Sequence, residues 1–553
     1  MVLVADREYW ESIVSRREKE CAIVRVARES FGYAAFRPGQ EEAIEATLAG
    51  RDSLVILPTG AGKSAIYQIA ALLLDGPTVV VSPLIALQRD QVESLEGRGE
   101  AAEINSTHSP EERATALADA ARGKVEFLFL APEQFANAET RDRLRAARPS
   151  LFVVDEAHCV SEWGHDFRPD YLRLGAIIEE LGHPTVLALT ATASPPVRDE
   201  IIARLGLRDA RTIVRGFDRP NIAFGVERHE TAERQRRALI ERVVAAEKPG
   251  IVYAATRRDT EEIAATLQQR GVRAAPYHAG LRPPERGETQ DSFGRDEIEV
   301  VVATVAFGLG IDKPNVRFVF HAAISDAIDS YYQEIGRAGR DGDPARAILF
   351  YRQEDLGLRR FFAGGGQVDA DQIEQVARAV QDHDQPADPR DLRDETGLSQ
   401  SKLTTALSRL EEVGAVALGP SGTVTAVDLP DDPTDVAREA AQAQAHHKEF
   451  ECSRLEMMRG YAELRGCRRE YLLNYFGEEY AGPCGRCDNC VAGVVEAEGE
   501  QPFPISARVR HRSLGEGLVM RYEGDKIVVL FDEVGYKTLA LSIVTGEGLL
   551  EAA

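Results

Sequence analysis

Between residues 20 and 205, short apolar runs alternate with longer amphipathic stretches. Ser53-Leu54-Val55-Ile56-Leu57, Thr78-Val79-Val80-Val81 and Leu151-Phe152-Val153-Val154 are such runs. Consecutive apolar positions suit a strand covered on both faces, whereas a half-exposed strand needs only alternate ones. The stretches between them predict helices that cover the sheet. The pattern restarts over 249–360, with Ile251-Val252-Tyr253 and Val300-Val301-Val302 as core strands. It predicts two α/β lobes in tandem, 1–205 and 206–362, each a parallel sheet flanked by helices. Phe217-Asp218-Arg219-Pro220-Asn221 marks the passage from one to the other.

After the flexible break Ala363-Gly364-Gly365-Gly366 the periodicity changes. Over 367–430 it predicts three helices, the last from Ser399 to Glu412, and then a β-turn segment, Ala415 to Val427, around Gly419-Pro420-Ser421-Gly422. That is the order of a winged helix. Residues 432–493 read as a long Ala-rich helix, a second helix and a cysteine-bearing module. An acidic linker, Val494 to Gln501, leads to 503–550. There Arg508 to Arg512, Gly517 to Tyr522 and Lys526 to Phe531 predict a small five-strand barrel of the SH3 or Tudor type.

The loop Pro58-Thr59-Gly60-Ala61-Gly62-Lys63-Ser64 follows the first predicted strand. Small residues let the backbone N–H groups of Thr59, Gly60, Ala61 and Gly62 wrap a β-phosphate, and the next helix adds its N-terminal dipole. Lys63 can neutralise β- and γ-oxygens, and Ser64 can ligate Mg²⁺. Leu57 stands where the longer form of the motif has its first glycine. Asp155-Glu156-Ala157-His158 leaves the carboxyl end of another predicted strand, the edge where ligands sit in such sheets. Asp155 is expected to hold Mg²⁺ through water, and Glu156 to orient and deprotonate the attacking water. Gln333 to Arg340 carries Arg337 and Arg340, whose planar forks suit phosphate oxygens. Together these motifs predict a nucleotide-driven motor that uses ATP and Mg²⁺, with Lys63, Asp155, Glu156, His158, Arg337 and Arg340 as its catalytic set.

Lys and Arg total 66 against 90 Asp and Glu, a formal charge of −24. Alone, that balance opposes phosphate binding. The motifs outweigh it, so basic channels on an acidic body are expected. No apolar run reaches the roughly 18–20 residues that span a bilayer, and the first residues turn polar too early for a signal peptide. The expectation is a cytoplasmic, nucleoid-associated monomer with no membrane contact. Cys467, Cys484, Cys487 and Cys490 lie within one stretch. Their thiolates suit tetrahedral, structural Zn²⁺. An iron–sulfur site of the bacterial run would need a cysteine at Val494.

These residues resemble the RecQ family of superfamily-two DNA helicases. The likeness runs from about 30 to 355, through Phe31-Gly32-Tyr33, Phe36-Arg37-Pro38-Gly39-Gln40, Ser82-Pro83-Leu84, Thr190-Ala191-Thr192-Ala193, Tyr277-His278-Ala279-Gly280-Leu281 and Phe307 to Pro314. Ser161-Glu162-Trp163-Gly164-His165-Asp166-Phe167-Arg168-Pro169 is its most diagnostic segment. The resemblance implies two RecA-like lobes, 3′-to-5′ travel on single-stranded DNA and unwinding of forked DNA in repair or recombination. It implies that Gln40 reads adenine, with Tyr33 stacking on the base and Arg37 nearby, and that Asp312 joins the nucleotide contacts. Trp163, His165, Phe167 and Arg168 would sense single-stranded DNA, and Tyr253, Arg257 and Thr304 would line its track.

The cysteine module resembles the RecQ zinc module, but in that family the winged helix follows it, whereas here the winged-helix candidate comes first. Lys402 and Arg409 are candidates to grip duplex phosphates; a winged helix that makes no DNA contact is the alternative. The final unit resembles the Tudor-like tail of UvrD-type helicases. That likeness implies a protein partner, for instance RNA polymerase, with a purely stabilising barrel as the other reading. A translocase that separates few base pairs, and an RNA helicase, remain open as alternatives.

Overall fold

The computed structural model describes residues 16–552 except 84, 96–98, 106–107, 162–167, 309–312, 358, 360–367, 384, 420–421, 428, 431, 479, 481, 496–501, 505–506 and 533. In the first lobe the strands are β1 (Ser53–Ile56), β2 (Thr78–Val81), β3 (Ala101–Ile104), β4 (Phe127–Leu130), β5 (Leu151–Val154), β6 (Thr185–Thr190) and β7 (Arg211–Val214). They form one parallel sheet in the order β3-β4-β2-β5-β6-β1-β7. Every residue of β1, β2, β4 and β5 is buried, as their unbroken apolar runs require. Because β6 lies between β1 and β5, the phosphate-loop candidate and Asp155 emerge on either side of Thr190 at one sheet edge.

The second lobe has β8 (Ile222–Arg228), β9 (Gly250–Tyr253), β10 (Ala274–Tyr277), β11 (Val300–Ala303), β12 (Phe318–His321) and β13 (Ala345–Tyr351). Its parallel order is β10-β11-β9-β12-β13-β8. The amphipathic helix Ile328–Ile335 lies between β12 and β13 and ends in the turn that carries Arg337 and Arg340.

Helices Ala370–Gln381, Pro389–Thr396 and Gln400–Glu412 pack around Ile373, Val376, Leu392, Leu403 and Leu410, with the hairpin β14 (Val416–Leu418) and β15 (Val424–Ala426) beside them. This is the predicted winged helix. Its core also takes Ala437 and Ala440 from the helix Thr434–Glu463. The far end of that helix, with Leu455, Met458 and Tyr461, joins the core that runs through both lobes and the cysteine module. At about 1.5 Å per residue it is long enough to serve both units, so the predicted boundary near 430 falls beside a shared element.

The last unit is a five-stranded antiparallel sheet, β19-β18-β17-β16-β20, formed by β16 (Arg508–His511), β17 (Gly515–Glu523), β18 (Lys526–Phe531), β19 (Gly535–Ala540) and β20 (Leu550–Ala552). It does not stand apart. Tyr536 stacks on Tyr475 at 5.6 Å, the Arg521 guanidinium lies 3.7 Å from the centre of the Tyr471 ring, and the Tyr536 N–H donates to Ser453 Oγ at 3.2 Å.

Candidate active site

The loop after β1 turns through Gly60 (φ 81°) and Gly62 (φ 76°), a left-handed backbone that costs side-chain-bearing residues about 1–2 kcal/mol. The space is also taken. A Cβ at Gly62 would lie 2.6 Å from Gln40 Nε2, and one at Gly60 would lie 3.2 Å from Arg340 Cγ. Gln40 is buried and braces the loop. Its Nε2 donates to the carbonyls of Ala61 (3.0 Å) and Gly62 (2.9 Å), and its Oε1 accepts the Arg37 N–H at 2.8 Å. The Arg37 guanidinium donates to the Gly60 carbonyl. Both amide hydrogens of Gln40 therefore serve the loop, and neither faces an adenine N7 in this arrangement. Tyr33, 40% exposed, stacks on Phe31 with centroids 5.8 Å apart and has a ring face to offer a base.

Lys63 begins the helix Lys63–Ala71, with Ser64 next in its first turn. Lys63 Nζ donates to the Leu57 carbonyl at 3.3 Å. Burial pushes its ammonium below the ordinary lysine value; Glu156 and Asp155 oppose that shift, while Arg340 and Arg337 add to it. These charges thus share one small volume. Asp155 is buried at the end of β5. Its Oδ1 accepts the Glu156 N–H (3.0 Å) and its Oδ2 accepts from Gln91 Nε2 (3.4 Å). Burial pushes its carboxyl up, against the pull of Lys63. The Asp155 carboxylate and the Ser64 hydroxyl, at the end of β5 and in the first turn after the phosphate loop, are oxygen donors of the kind Mg²⁺ takes.

Glu156 also has left-handed backbone (φ 49°, ψ 46°), which brings its Oε2 within 3.3 Å of His158 Nδ1. His158 is fully buried, and its Nδ1 lies 2.8 Å from Thr190 Oγ1. Thr190 Oγ1 donates to the Thr192 carbonyl at 3.0 Å, so Nδ1 is the ring's proton-bearing atom in this pair. The end of β5 is thereby tied to the end of β6. Gln91 carries no motif signal, and Thr190 opens the Thr190-Ala191-Thr192-Ala193 segment of the family likeness with no site role read from it; packing brings the two to Asp155 and His158.

From the second lobe, Arg340 lies against Gly60, and Gly336 faces Thr59: a Cβ at Gly336 would be 3.6 Å from Thr59 Cβ. Arg337 is buried, and its Nε has no hydrogen-bond partner among the described residues. Such an atom is costly to bury unless a ligand supplies the acceptor.

The four cysteine sulfurs of 467, 484, 487 and 490 all lie within 4.8 Å of one another. Tetrahedral zinc with Zn–S near 2.3 Å sets sulfurs about 3.8 Å apart, and the Cys484–Cys490 sulfur pair is at 3.8 Å. The donor set fits zinc. The module grips the passage between the lobes. Phe476 stacks on Phe217 (4.7 Å, 4°), Glu478 accepts the Phe217 N–H at 2.8 Å, and Arg469 Nη1 donates to Asp218 Oδ1 at 2.5 Å.

The predicted DNA contacts fare unequally. Trp163, His165, Phe167 and Asp312 lie outside the described residues. Arg168 donates to the Pro83 carbonyl at 2.8 Å beside the Asp155 loop. Arg257 is exposed at a helix start beside Gly280, and Thr304 follows β11 next to Val305, which is 67% exposed. Two expectations need correction. Tyr253 is 4% exposed and its hydroxyl donates to the Phe307 carbonyl at 2.7 Å, so it belongs to the lobe core and not to an open track. Arg409 is 6% exposed and pairs with Glu412, so it stabilises the winged helix from within. Lys402 donates to Gln372 Oε1 at 3.1 Å and keeps partial exposure. The winged helix leans on the first lobe: Glu411 pairs with Arg204 at 3.3 Å, and a Cβ at Gly422 in the wing would lie 3.1 Å from the Arg173 guanidinium.

Three family models match in chain order: DEAD/DEAH box helicase at 37–201, helicase conserved C-terminal domain at 235–342, and RecQ zinc-binding at 432–491. The chain is 38% identical to a probable ATP-dependent DNA helicase RecS of Bacillus subtilis, over 85% of this chain and 92% of that protein. It is 37% identical to an ATP-dependent DNA helicase RecQ of Pasteurella multocida, over 85% of this chain and 62% of that one. It thus spans under two thirds of the Pasteurella protein. Among solved structures, Mycobacterium smegmatis helicase Lhr bound to ssDNA and AMP-PNP matches with TM-score 0.50 and 21% identity, over 77% of this chain and 61% of that chain. The fold is shared at that distance.

Proposed function

The chain belongs to the RecQ family of ATP-dependent DNA helicases, and from that premise we propose that it hydrolyses ATP between its two lobes to move 3′ to 5′ along single-stranded DNA and open forked duplexes in repair or recombination. One observation carries the reading: Arg340 of the second lobe is packed on Gly60 of the first, in the same electrostatic neighbourhood as Lys63. In this scheme Lys63 neutralises the β- and γ-phosphate oxygens. Glu156 orients a water and takes its proton. Arg337 and Arg340 stabilise the charge on the departing phosphoryl group. Phosphoryl transfer is catalysed mainly by positioning and charge, so each contribution depends on the lobes being closed. Ser64 and Asp155 would hold Mg²⁺, which when bound neutralises phosphate charge. Cys467, Cys484, Cys487 and Cys490 would hold a structural Zn²⁺ with no open position.

Arg168, Arg257, Thr304 and Lys402 are the remaining candidates for DNA contact among the described residues. Tyr33 is the base-stacking candidate, and Gln40 acts through the loop it braces. The last unit serves as a brace, given its contacts to Tyr471, Tyr475 and Ser453. We keep a monomer acting on chromosomal DNA as the working picture; no helix among the described residues is long and apolar enough to cross a membrane.

The docked wing and the buried Arg409 favour a second reading, a DNA-dependent translocase with little strand separation. One set of assays separates the readings: ATPase rates with no nucleic acid, single-stranded DNA, forked DNA and RNA, beside strand displacement on a 3′-tailed duplex. DNA-stimulated turnover with displacement supports unwinding. Stimulation without displacement supports translocation, and stimulation by RNA alone overturns both.

A further inference from the structure

Arg219 lies in the segment that joins the lobes, between β7 and β8. Its Nη1 donates to the carbonyls of Gly336 (2.9 Å) and Thr59 (3.4 Å), and its Nη2 to those of Ala338 (2.7 Å) and Gly339 (3.0 Å). One guanidinium therefore holds the turn that carries Arg337 and Arg340 and also touches the phosphate loop. Its neighbour Asn221 donates through Nδ2 to the carbonyls of Gly339 (2.7 Å) and Asp343 (2.8 Å). Gly339 is left-handed (φ 56°), and a Cβ there would lie 2.5 Å from that Nδ2, so the turn sits tightly on the segment beneath it.

The segment is itself held. Arg469 Nη2 donates to the Ile222 carbonyl at 2.8 Å and Arg486 Nη1 to the Pro220 carbonyl at 2.7 Å, in addition to the Asp218 and Phe217 contacts already described. The Tyr332 hydroxyl donates to the Phe217 carbonyl. The cysteine module thus holds the main chain on either side of Arg219. A cation at the carbonyl end of the helix Ile328–Ile335 also complements its dipole.

We infer that Arg219 is a positioning residue for ATP hydrolysis, acting through the turn Gly336–Arg340 to aim Arg337 and Arg340 at the γ-phosphate. The inference rests on the proposed role of those two arginines. A guanidinium has five N–H donors in a fixed fork. A lysine ammonium is compact and cannot span the same set of carbonyls. Losing the fork frees the turn, and a misplacement of about 1 Å in a catalytic group can cost on the order of 100-fold in rate. Ground-state nucleotide binding depends on the phosphate loop, which loses only the long Arg219–Thr59 contact and keeps those of Gln40 and Arg37.

The test uses the full-length, zinc-loaded chain with a single-stranded oligonucleotide. Affinities for ADP and for ADP with aluminium fluoride and Mg²⁺, a mimic of the transferring phosphoryl group, are measured with kcat and KM for ATP. Arg219→Ala, Arg219→Lys and Arg340→Ala are compared with the parent chain, with zinc content and melting as checks on folding. We expect all three to lose at least tenfold in kcat and in affinity for the fluoroaluminate complex, with ADP affinity within twofold. If Arg340→Ala shows this loss and the Arg219 variants stay within twofold of the parent, the inference is wrong. It is equally wrong if ADP and fluoroaluminate affinities fall together in Arg219→Lys, the milder variant that carries the test should Arg219→Ala not fold. If Arg340→Ala itself changes nothing, the reading of the arginines fails, and the inference fails with it.

Discussion

Arg340 closes over Gly60: its Cγ lies 3.2 Å from where a Cβ on that glycine would be, although the two residues belong to different lobes. The phosphate loop and the arginine turn are therefore fitted to each other in shape, while the like charges of Lys63, Arg337 and Arg340 are gathered into one volume.

Gly60→Ala tests that fit. The added methyl group meets Arg340, and the alanine backbone must hold φ 81°. The backbone term alone costs about 1–2 kcal/mol, and displacing Arg340 is expected to lower kcat by tenfold or more. Steady-state ATPase with a single-stranded oligonucleotide measures it; an unchanged kcat would mean that the contact is incidental.

Glu156→Gln keeps the size of the side chain and removes its capacity as a base. ATP binding should stay within about threefold of the parent, while turnover falls by at least about 10³-fold, the scale of losing a group that acts in the transition state. Equilibrium binding of a fluorescent ATP analogue beside single-turnover hydrolysis separates the two effects. Retained hydrolysis would remove Glu156 from the role.

Asp155→Asn should make the protein more stable and inactive. Burial raises the folded-state pKa of this carboxyl, so the folded state favours the protonated form. Below the unfolded carboxyl value both states are protonated and the residue is neutral to stability. As pH rises through the folded-state value, the folded chain must carry a buried charge and stability is lost. Asn avoids that cost, so the gain, roughly 0.5–2 kcal/mol as for other relieved functional sites, should be largest at neutral pH and shrink on acidification. Thermal melting from about pH 4, near the unfolded carboxyl value, up to neutral pH reads it. A gain that grows toward acid would reverse the assignment.

Cys484→Ser should abolish zinc binding and loosen the clamp on the inter-lobe segment. Metal content should fall from one per chain toward zero, with Tm down by more than about 5 °C, since bound metal contributes directly to folding free energy. Full stability without metal would show that the cysteines are not a structural zinc site.

Arg409→Ala should weaken the winged helix and leave the electrostatics of DNA binding alone. The buried guanidinium is paired with Glu412, whose side chain reaches solvent, so the loss is mainly of packing around the arginine stem and costs about 1–3 kcal/mol. A phosphate-contacting cation would instead lower the slope of log K against log salt by about one. Measuring that slope for Arg409→Ala and Lys402→Ala discriminates the roles.

The elements legible in the sequence are those whose cause is local. Leu54–Ile56 and Phe152–Val154 announce covered strands because every residue of such a strand needs an apolar environment. Gly60, Gly62 and Lys63 announce a phosphate loop because backbone conformation and one charge suffice to build it. The cysteines announce a metal because Cys484, Cys487 and Cys490 follow one another at short, regular spacing with Cys467 shortly upstream.

What remained out of reach depends on partners far along the chain. Tyr253 and Arg409 have the chemistry of nucleic-acid contacts, and only packing shows that a carbonyl at Phe307 and a carboxylate at Glu412 already occupy them. Gln40 can read adenine by its functional group, but its amide is turned to the loop backbone. Arg219 carries no motif signal for its place, because its partners are main-chain carbonyls from both lobes, and carbonyls look alike in every sequence. The sequence by itself determined which chemistry this protein possesses, since side-chain type and short-range spacing create it. The tertiary structure decided which of those groups are free to act and what aims them, since burial and long-range hydrogen bonds exist only once the lobes, the winged helix and the cysteine module have packed together.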